Sequence, residues 1–487
     1  MRTVVGRTNQ IVVVGAGLGG LACAIRLAGA GRQVTVLERA DQPGGRAGQL
    51  VDGGYRFDTG PTVLTMPQLI DDTFAAVEEK MSDWLDLVRL DPAYRAHFPD
   101  GSTLDVRAQV RDTAEEIARV CGPREADGYR RFIDYSRSLF DIEWNTFIDR
   151  NLDTPLDLLG RPLARLALAG GFGRLSPKIN QFFENPRTRR IFSFQALYAG
   201  VPPHRALALY AVISYLDTVA GVYFPRGGMH AVPVAMAAVA AKHGVDIHYD
   251  REVTSVEVVN GRARAVRTAD GDRIPADVVV LNPDLPVARR DLLNRPLRRP
   301  LRYSPSCVLL HIGASKHYQG AAHHNIHFGR AWRRTFDEIT RQGRVMSDPS
   351  LLVSNPSRTD PSVAPTGKQT YYVLAPVPNL TAPIDWARTG KRYADEILVE
   401  LEKRGYPGLT DATEVRHLVT PDDWAAAGMA MGTPFALAHT FAQTGPMRPS
   451  NLLMENVVFV GSGTQPGVGV PMVLVSGRLA AERIIGR

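Results

Sequence analysis

The chain has 487 residues, 44% hydrophobic and 22% charged, enough for two or three domains around a large core. A net charge of +7 admits an anionic surface as partner, but the basic residues are scattered and no nucleic-acid motif accompanies them, which excludes nucleic acid. Cys23, Cys121 and Cys307 are odd in number and far apart, which excludes a disulfide framework and a cysteine metal site and suits the reducing cytoplasm.

The first ten residues run straight into an apolar strand at 11–14, so no cleavable apolar leader is expected. The strand is Ile11-Val12-Val13-Val14, a run suited to burial on both faces. Gly15-Ala16-Gly17-Leu18-Gly19-Gly20 follows, a G-x-G-x-x-G turn that opens a helix to about residue 30. In that pattern the glycines serve a tight turn, backbone approach to a pyrophosphate and close packing of helix on strand. The helix start offers free N–H groups and a positive dipole end for phosphate. A second strand at 33–37 ends in Glu38, a carboxylate placed to accept from ribose hydroxyls and to disfavour a 2′-phosphate. These residues predict an α/β dinucleotide-binding unit.

Glu38-Arg39 leads to a second glycine turn, Pro43-Gly44-Gly45-Arg46, and then to Gly60-Pro61-Thr62. A nicotinamide dehydrogenase has no need of this second turn. It resembles flavoproteins of the glutathione-reductase type, where the chain turns back along an extended FAD, glycines admit the cofactor and an arginine meets its oxygens. Residues 67–198 are polar, charge-rich and expected to be mainly helical. Within this region, 162–175 is apolar but broken by Arg165, Arg174 and Gly170-Gly171; both a core segment and a segment dipping into a bilayer surface with arginines at lipid phosphates are open. Residues 206–224 are mostly apolar but contain Asp217; a buried helix beside a substrate cavity is expected rather than a membrane span.

The dinucleotide-binding unit resumes near residue 223. A helix at 229–243 closes on Gly244, strands follow at 245–249 and 252–259, Asn260-Gly261 and Asp270-Gly271 read as hairpin turns, and 274–281 is expected to return to the sheet. His323-His324-Asn325-Ile326-His327 lacks Cys or acid at ligand spacing and is expected to be a polar loop, with no metal. Alternating segments between 304 and 440 suit a sheet walling a cavity. Asn456-Val457-Val458-Phe459-Val460 is a buried strand, residues 461–469 a bare Gly/Pro loop, and Pro471 the start of a helix, where its missing N–H is harmless.

From Asn456 to Gly477 the C-terminal run closely resembles the signature of bacterial-type phytoene desaturases, within the flavin amine-oxidase superfamily. So do Phe224-Pro225-Arg226-Gly227-Gly228, Met346-Ser347-Asp348-Pro349-Ser350 and Thr370-Tyr371-Tyr372-Val373-Leu374-Ala375-Pro376-Val377-Pro378. The resemblance covers essentially the whole chain. It implies a discontinuous FAD domain (1–66, 223–290, 445–487), a mainly helical, membrane-associating substrate region (67–222) and a mixed-sheet substrate domain (291–444). It implies FAD contacts at Gly15, Gly17, Gly19, Gly20, Glu38, Arg39, Gly44, Gly45, Arg46, Gly60, Pro61, Thr62 and Val253. At the flavin end it implies Gly461, Gly463, Gly469, Val470, Pro471 and Met472. A departure is the missing acid in the 461–469 loop; Ser462 and Thr464 are the hydroxyl candidates there.

The implied reaction is desaturation of a long apolar carotene such as phytoene, with FAD as hydride acceptor, quinone or oxygen as terminal acceptor, and peripheral association with the cytoplasmic membrane. No catalytic residue is assigned; Asp217, Asp284 and Glu143 are possible bases but read more simply as surface or structural carboxylates. Two alternatives remain at this stage. One is another flavin oxidase of the superfamily, acting on amines or porphyrinogens, which would not need the 466–471 run. The other is a non-catalytic isoprenoid carrier similar to Rab GDP-dissociation inhibitors, which would be expected to have lost the cofactor residues.

Overall fold

The computed structural model describes residues 1–297 and 300–486; residues 298–299 of the expected sheet domain and 487 of the expected FAD domain lie outside them. β1 (Gln10–Val14) is buried on both faces, as its unbroken apolar run requires, and pairs in parallel with β2 (Gln33–Leu37) through the intervening α1 (Leu18–Gly29). This is the βαβ unit that parallel pairing of successive strands requires. Among the described residues the sheet has six strands. Asp246–His248 lies at one edge beside β2; Val278–Leu281, Val457–Phe459 and Leu452–Met454 follow on the other side of β1. The sheet is thus assembled from both ends and the middle of the chain.

The expected strand at 274–281 divides in two. Arg273–Pro275 closes a three-stranded antiparallel sheet with Val253–Val259 and Arg262–Thr268, while Val278–Leu281 enters the main sheet against β1. Pro275 cannot donate a ladder bond, so the chain leaves one sheet there and joins the other. Asn260 and Gly261 both adopt positive φ, as a two-residue hairpin turn requires.

Among the described residues a second sheet has seven strands, in the order Thr413–Val419, Ser306–Ala314, Gln369–Val377, Leu351–Ser354, His324–His327, Tyr94–His97 and Thr103–Val106. Two of these strands come from the stretch expected to be mainly helical. They are short, and their polar outer residues masked the alternation. The expected polar loop at 323–327 is instead a buried strand of this sheet. Its imidazoles are accommodated neutral: burial drives the pKa of His324 down to about 3 and that of His327 well below the ordinary value.

α1 lies against the C-terminal helix Val470–Ile485. Gly477 permits the approach: a Cβ there would lie 2.7 Å from the Gly19 carbonyl oxygen and 2.8 Å from Ala22 Cβ. Cys23 is fully buried in this contact, and desolvation raises its thiol to about 12, so it serves packing.

The apolar stretch 206–224 is not one helix. It runs through a 3₁₀ turn Ala208–Tyr210, a short helix Ala211–Tyr215 and a π turn Leu216–Ala220, and Gly221 at positive φ ends it before the strand Tyr223–Pro225. The segment 162–175 contains the helix Arg161–Leu168, which stops before Gly170 at positive φ. No helix among the described residues is long and apolar enough to cross a membrane.

Candidate active site

A cavity of about 1340 Å³ is lined both by the carboxyl ends of β1 and β2 and by residues between Leu207 and Asp217. One end is polar. Gly15, Gly17 and Gly19 line it, with Glu38, Arg39 and Val253 at its extremity. This crevice outside the strand ends is where open parallel sheets take their ligands. Gly20 does not face the cavity. A Cβ there would lie 2.3 Å from the Gly15 carbonyl oxygen, so Gly20 closes the turn behind the floor.

Glu38 is buried and already oriented. Its Oε2 accepts from the Ala16 amide at 2.7 Å and its Oε1 from the Ala40 amide at 3.0 Å. A carboxylate has lone pairs beyond these two and can still accept from hydroxyls. Arg39 reaches the Ala427 carbonyl at 2.6 Å and so spans from this end to the sheet domain.

The second glycine turn doubles back over the first: the Gly44 amide donates to the Ala16 carbonyl at 2.9 Å, and Gly45, Arg46, Gly60, Pro61 and Thr62 continue the wall. A Cβ at Gly60 would fall 1.8 Å from the Arg46 carbonyl oxygen, so that position can only be glycine here. The Arg46 guanidinium hydrogen-bonds the Ser462 hydroxyl and lies 3.4 Å from Asp284. Asp284, considered above as a surface or structural carboxylate, is therefore in the cavity wall, paired to Arg46.

Gly461, Gly463, Gly469, Val470, Pro471 and Met472 face the same space from the C-terminal side. Gly469 has φ +112 and precedes the first turn of the helix, whose leading amides have no intrahelical acceptor. Four further groups hold this wall; Tyr372 falls in the 370–378 signature run, but the sequence assigned no role to any of the four. The Asn282 amide donates to the Gly15 carbonyl at 3.3 Å and packs on Gly17 and Gly461. The Tyr372 hydroxyl donates to the Gly60 carbonyl at 2.9 Å. Asp58 accepts from the Met229 and His230 amides at the start of the following helix. Arg448 is fully buried; its Nε donates to the Thr464 carbonyl at 2.9 Å and its Nη2 to the Ser462 carbonyl at 2.6 Å, so it ties down the 461–469 loop. Desolvation pulls this guanidinium down to about 10, still charged at neutral pH.

The other end of the cavity is apolar, with Phe147, Leu163, Leu166, Phe172, Leu209 and Ile213 among its lining. Leu207 to Asp217 lie along it, as expected of the 206–224 stretch, though as broken turns. Around this end several large apolar side chains point outward: Leu168 is 89% exposed, Leu156 70%, Leu159 68% and Phe441 58%. Within the segment 162–175, Leu166 is buried and Leu168 lies in solvent. Asp217 and Glu143 are also cavity residues and each is 5% exposed, so neither is a surface carboxylate.

An extended dinucleotide suits these residues. The floor is bare: a Cβ at Gly17 would sit 2.6 Å from Asn282 Nδ2, and one at Gly19 3.0 Å from the Gly461 amide nitrogen. A helix start, an oriented carboxylate, an arginine and a second helix start all line this one cavity.

Fold and site together define an FAD-dependent oxidoreductase with a glutathione-reductase type dinucleotide fold. The chain belongs to the flavin containing amine oxidoreductase family, matched over residues 18–485, and within it to the bacterial-type phytoene desaturases. It is 57% identical to a phytoene dehydrogenase of Streptomyces griseus over all of this chain and 97% of that one. It is 39% identical to a zeta-carotene-forming phytoene desaturase of Myxococcus xanthus, covering 98% of this chain and 94% of the relative. Among solved structures, a cyclohexylamine oxidase of Brevibacterium oxydans shares the fold at a TM-score of 0.62 and 16% identity, over 99% of both chains.

Proposed function

We propose that this protein desaturates a carotene such as phytoene, forming lycopene or a partly desaturated intermediate. The observation that carries the proposal is the cavity: a polar dinucleotide groove opens directly into a long space walled by aliphatic and aromatic side chains. A hydrocarbon offers no polar handle, so its recognition must come from apolar burial and shape.

FAD, when bound, supplies the two-electron acceptor for a hydride from the allylic carbon. The cavity lining supports the following assignments. The amides at the start of α1 would hold the pyrophosphate, and Glu38 and Val253 would hold the adenosine end. Gly44, Gly45 and Gly60 let the backbone lie along the cofactor, and Arg46 offers its remaining donors to cofactor oxygens. The bare junction at Gly469, Val470 and Pro471 leaves room for a flat ring, and its free amides favour negative charge there. Arg448 holds the 461–469 loop that leads into that junction. The apolar walls align the polyene and exclude water.

The exposed leucines at 156, 159 and 168 with Phe441 surround the apolar end, and Arg161, Arg165 and Arg174 lie in the same stretch. This supports peripheral docking on the cytoplasmic membrane, where a bilayer-dissolved substrate enters directly. Quinone or oxygen serves as terminal electron acceptor, and docking brings quinone within reach.

The test is expression in cells that accumulate phytoene but cannot desaturate it. New polyene absorption in their pigment extract supports the proposal and shows how many double bonds are added. Unchanged phytoene, with soluble FAD-loaded protein present, refutes it.

A further inference from the structure

Two carboxylates in the cavity wall have no part in cofactor or apolar binding. Asp217 and Glu143 are each 5% exposed and line the cavity. Among the described residues neither meets a cation, and Glu143 Oε1 has no hydrogen-bond donor. Burying a carboxylate without compensation opposes folding, and a chain with no use for the charge would place Asn or Leu there at lower cost.

The backbone singles out the same two positions. Asp217 lies within the π turn Leu216–Ala220, and Glu143 is the last residue before the π turn Trp144–Ile148. A π turn inserts a residue into a helical path and re-aims the side chains around it, and such turns gather at functional sites. The two turns extend helices packed on one another, Pro123–Glu143 and Ala211–Tyr215, and both open onto the cavity.

We infer that Asp217 is the proton acceptor of the reaction, an inference that rests on the desaturase proposal above. The balance is complete. The allylic C–H bond breaks with its electron pair, which leaves as hydride to bound FAD. The C–H bond on the adjacent carbon then breaks, its electron pair becomes the new C=C bond, and its proton forms an O–H bond on the Asp217 carboxylate. The substrate loses two electrons and FAD gains them. The negative carboxylate also favours the positive charge that forms on the polyene between the two steps. The proton later passes from Asp217 to water, which resets the site.

The surroundings fit the role. Desolvation raises Asp217 to about 7, where a carboxylate both takes and releases a proton at neutral pH. The titratable groups facing it are the phenols of Tyr94 and Tyr198, both raised well above their ordinary value and so neutral throughout this range. Glu143, faced by Tyr135 and Tyr210, is also raised well above its ordinary value by burial; it precedes its π turn, whereas Asp217 lies within one.

The test uses the full-length, FAD-loaded protein with phytoene in vesicles of phosphatidylcholine and phosphatidylglycerol. The wild-type rate should rise with pH through about 7 and level off above it. Asp217→Asn should lower kcat on the order of 100-fold or more with little change in KM, and abolish that rise. Asp217→Glu should recover part of the rate with a displaced rise. A measurement without turnover accompanies these: the carboxyl C=O infrared band of the oxidised protein should titrate near neutral pH and vanish in Asp217→Asn. FAD stoichiometry and the thermal midpoint establish that each variant is folded. If Asp217→Asn fails to fold, the infrared titration of wild type against Asp217→Glu decides.

Wild-type kcat and pH dependence in folded Asp217→Asn overturn the assignment, as does loss of the pH rise in Glu143→Gln instead. A wild-type protein that converts no carotene is a different failure: it removes the desaturase proposal itself, whatever the infrared titration gives.

Discussion

Gly469 gives the sharpest check on where the flavin ring lies. Its φ of +112 and ψ of +152 fall in a region essentially reserved for glycine. A Cβ there would meet nothing closer than Pro471 Cδ at 4.0 Å, so the space in front of it is open cavity. Two substitutions separate the contributions. Gly469→Ala adds one methyl group in open space, so its cost is backbone strain alone, about 1–3 kcal/mol. Gly469→Leu carries the same strain and adds three carbons that must extend into the cavity. If the ring occupies that space, overpacking costs a further 1–3 kcal/mol or so, roughly 5- to 140-fold in FAD affinity relative to Gly469→Ala. FAD affinity is read by titrating the apoprotein and following flavin fluorescence, and activity by polyene absorbance from phytoene. Gly320→Leu is the control, since a Cβ there meets nothing within 4 Å and its φ is not strained; it should leave both readings unchanged. Equal FAD affinity and equal polyene formation in the Ala and Leu variants would refute placement of the ring at this junction.

Arg448→Met should loosen the 461–469 loop: it leaves the Ser462 and Thr464 carbonyls without their donors, at about 1–3 kcal/mol each, so FAD should dissociate faster. An unchanged FAD release rate would contradict that role. His311 is buried between Phe57 and Tyr372 with neither ring nitrogen partnered, and burial drives its pKa down to about 4. Its folded value lies below its unfolded value of 6.5, so stability is full above pH 6.5 and falls as pH drops toward 4, by about 3 kcal/mol. His311→Phe should flatten this part of the stability curve; the same acid slope in both proteins would exclude His311 as its source. Full burial of a leucine is worth about 1.5–3 kcal/mol, so joint replacement of Leu156, Leu159 and Leu168 by serine should weaken vesicle binding at least tenfold, about 1.4 kcal/mol. Co-sedimentation with anionic vesicles measures it, and undiminished binding would move the docking surface elsewhere.

The dinucleotide half of the site was legible in the sequence because its determinants are local. A parallel strand, a glycine turn, a helix and an acid must follow in fixed order when one short βαβ unit supplies the amides and the carboxylate. The C-terminal run was legible for the same reason, since loop and helix start are contiguous. The apolar half was not. The 206–224 stretch has the composition of a helix, and only packing reveals that it breaks into turns that aim Asp217 inward. Tyr94–His97 and Thr103–Val106 join a sheet whose other strands lie beyond residue 300, a pairing no local pattern encodes. His324–His327 reads as polar until two neighbouring strands bury it. Arg448, Asn282 and Tyr372 act through backbone carbonyls brought to them from distant segments, and a carbonyl leaves no mark in the residue alphabet. Whether Asp217 and Glu143 are surface carboxylates or wall groups depended on burial, which is a property of the assembled layers. Sequence alone therefore determined the cofactor class and the elements that cradle it; the tertiary structure decided which charged groups enter the apolar cavity, because desolvation exists only once the surrounding segments have closed around them.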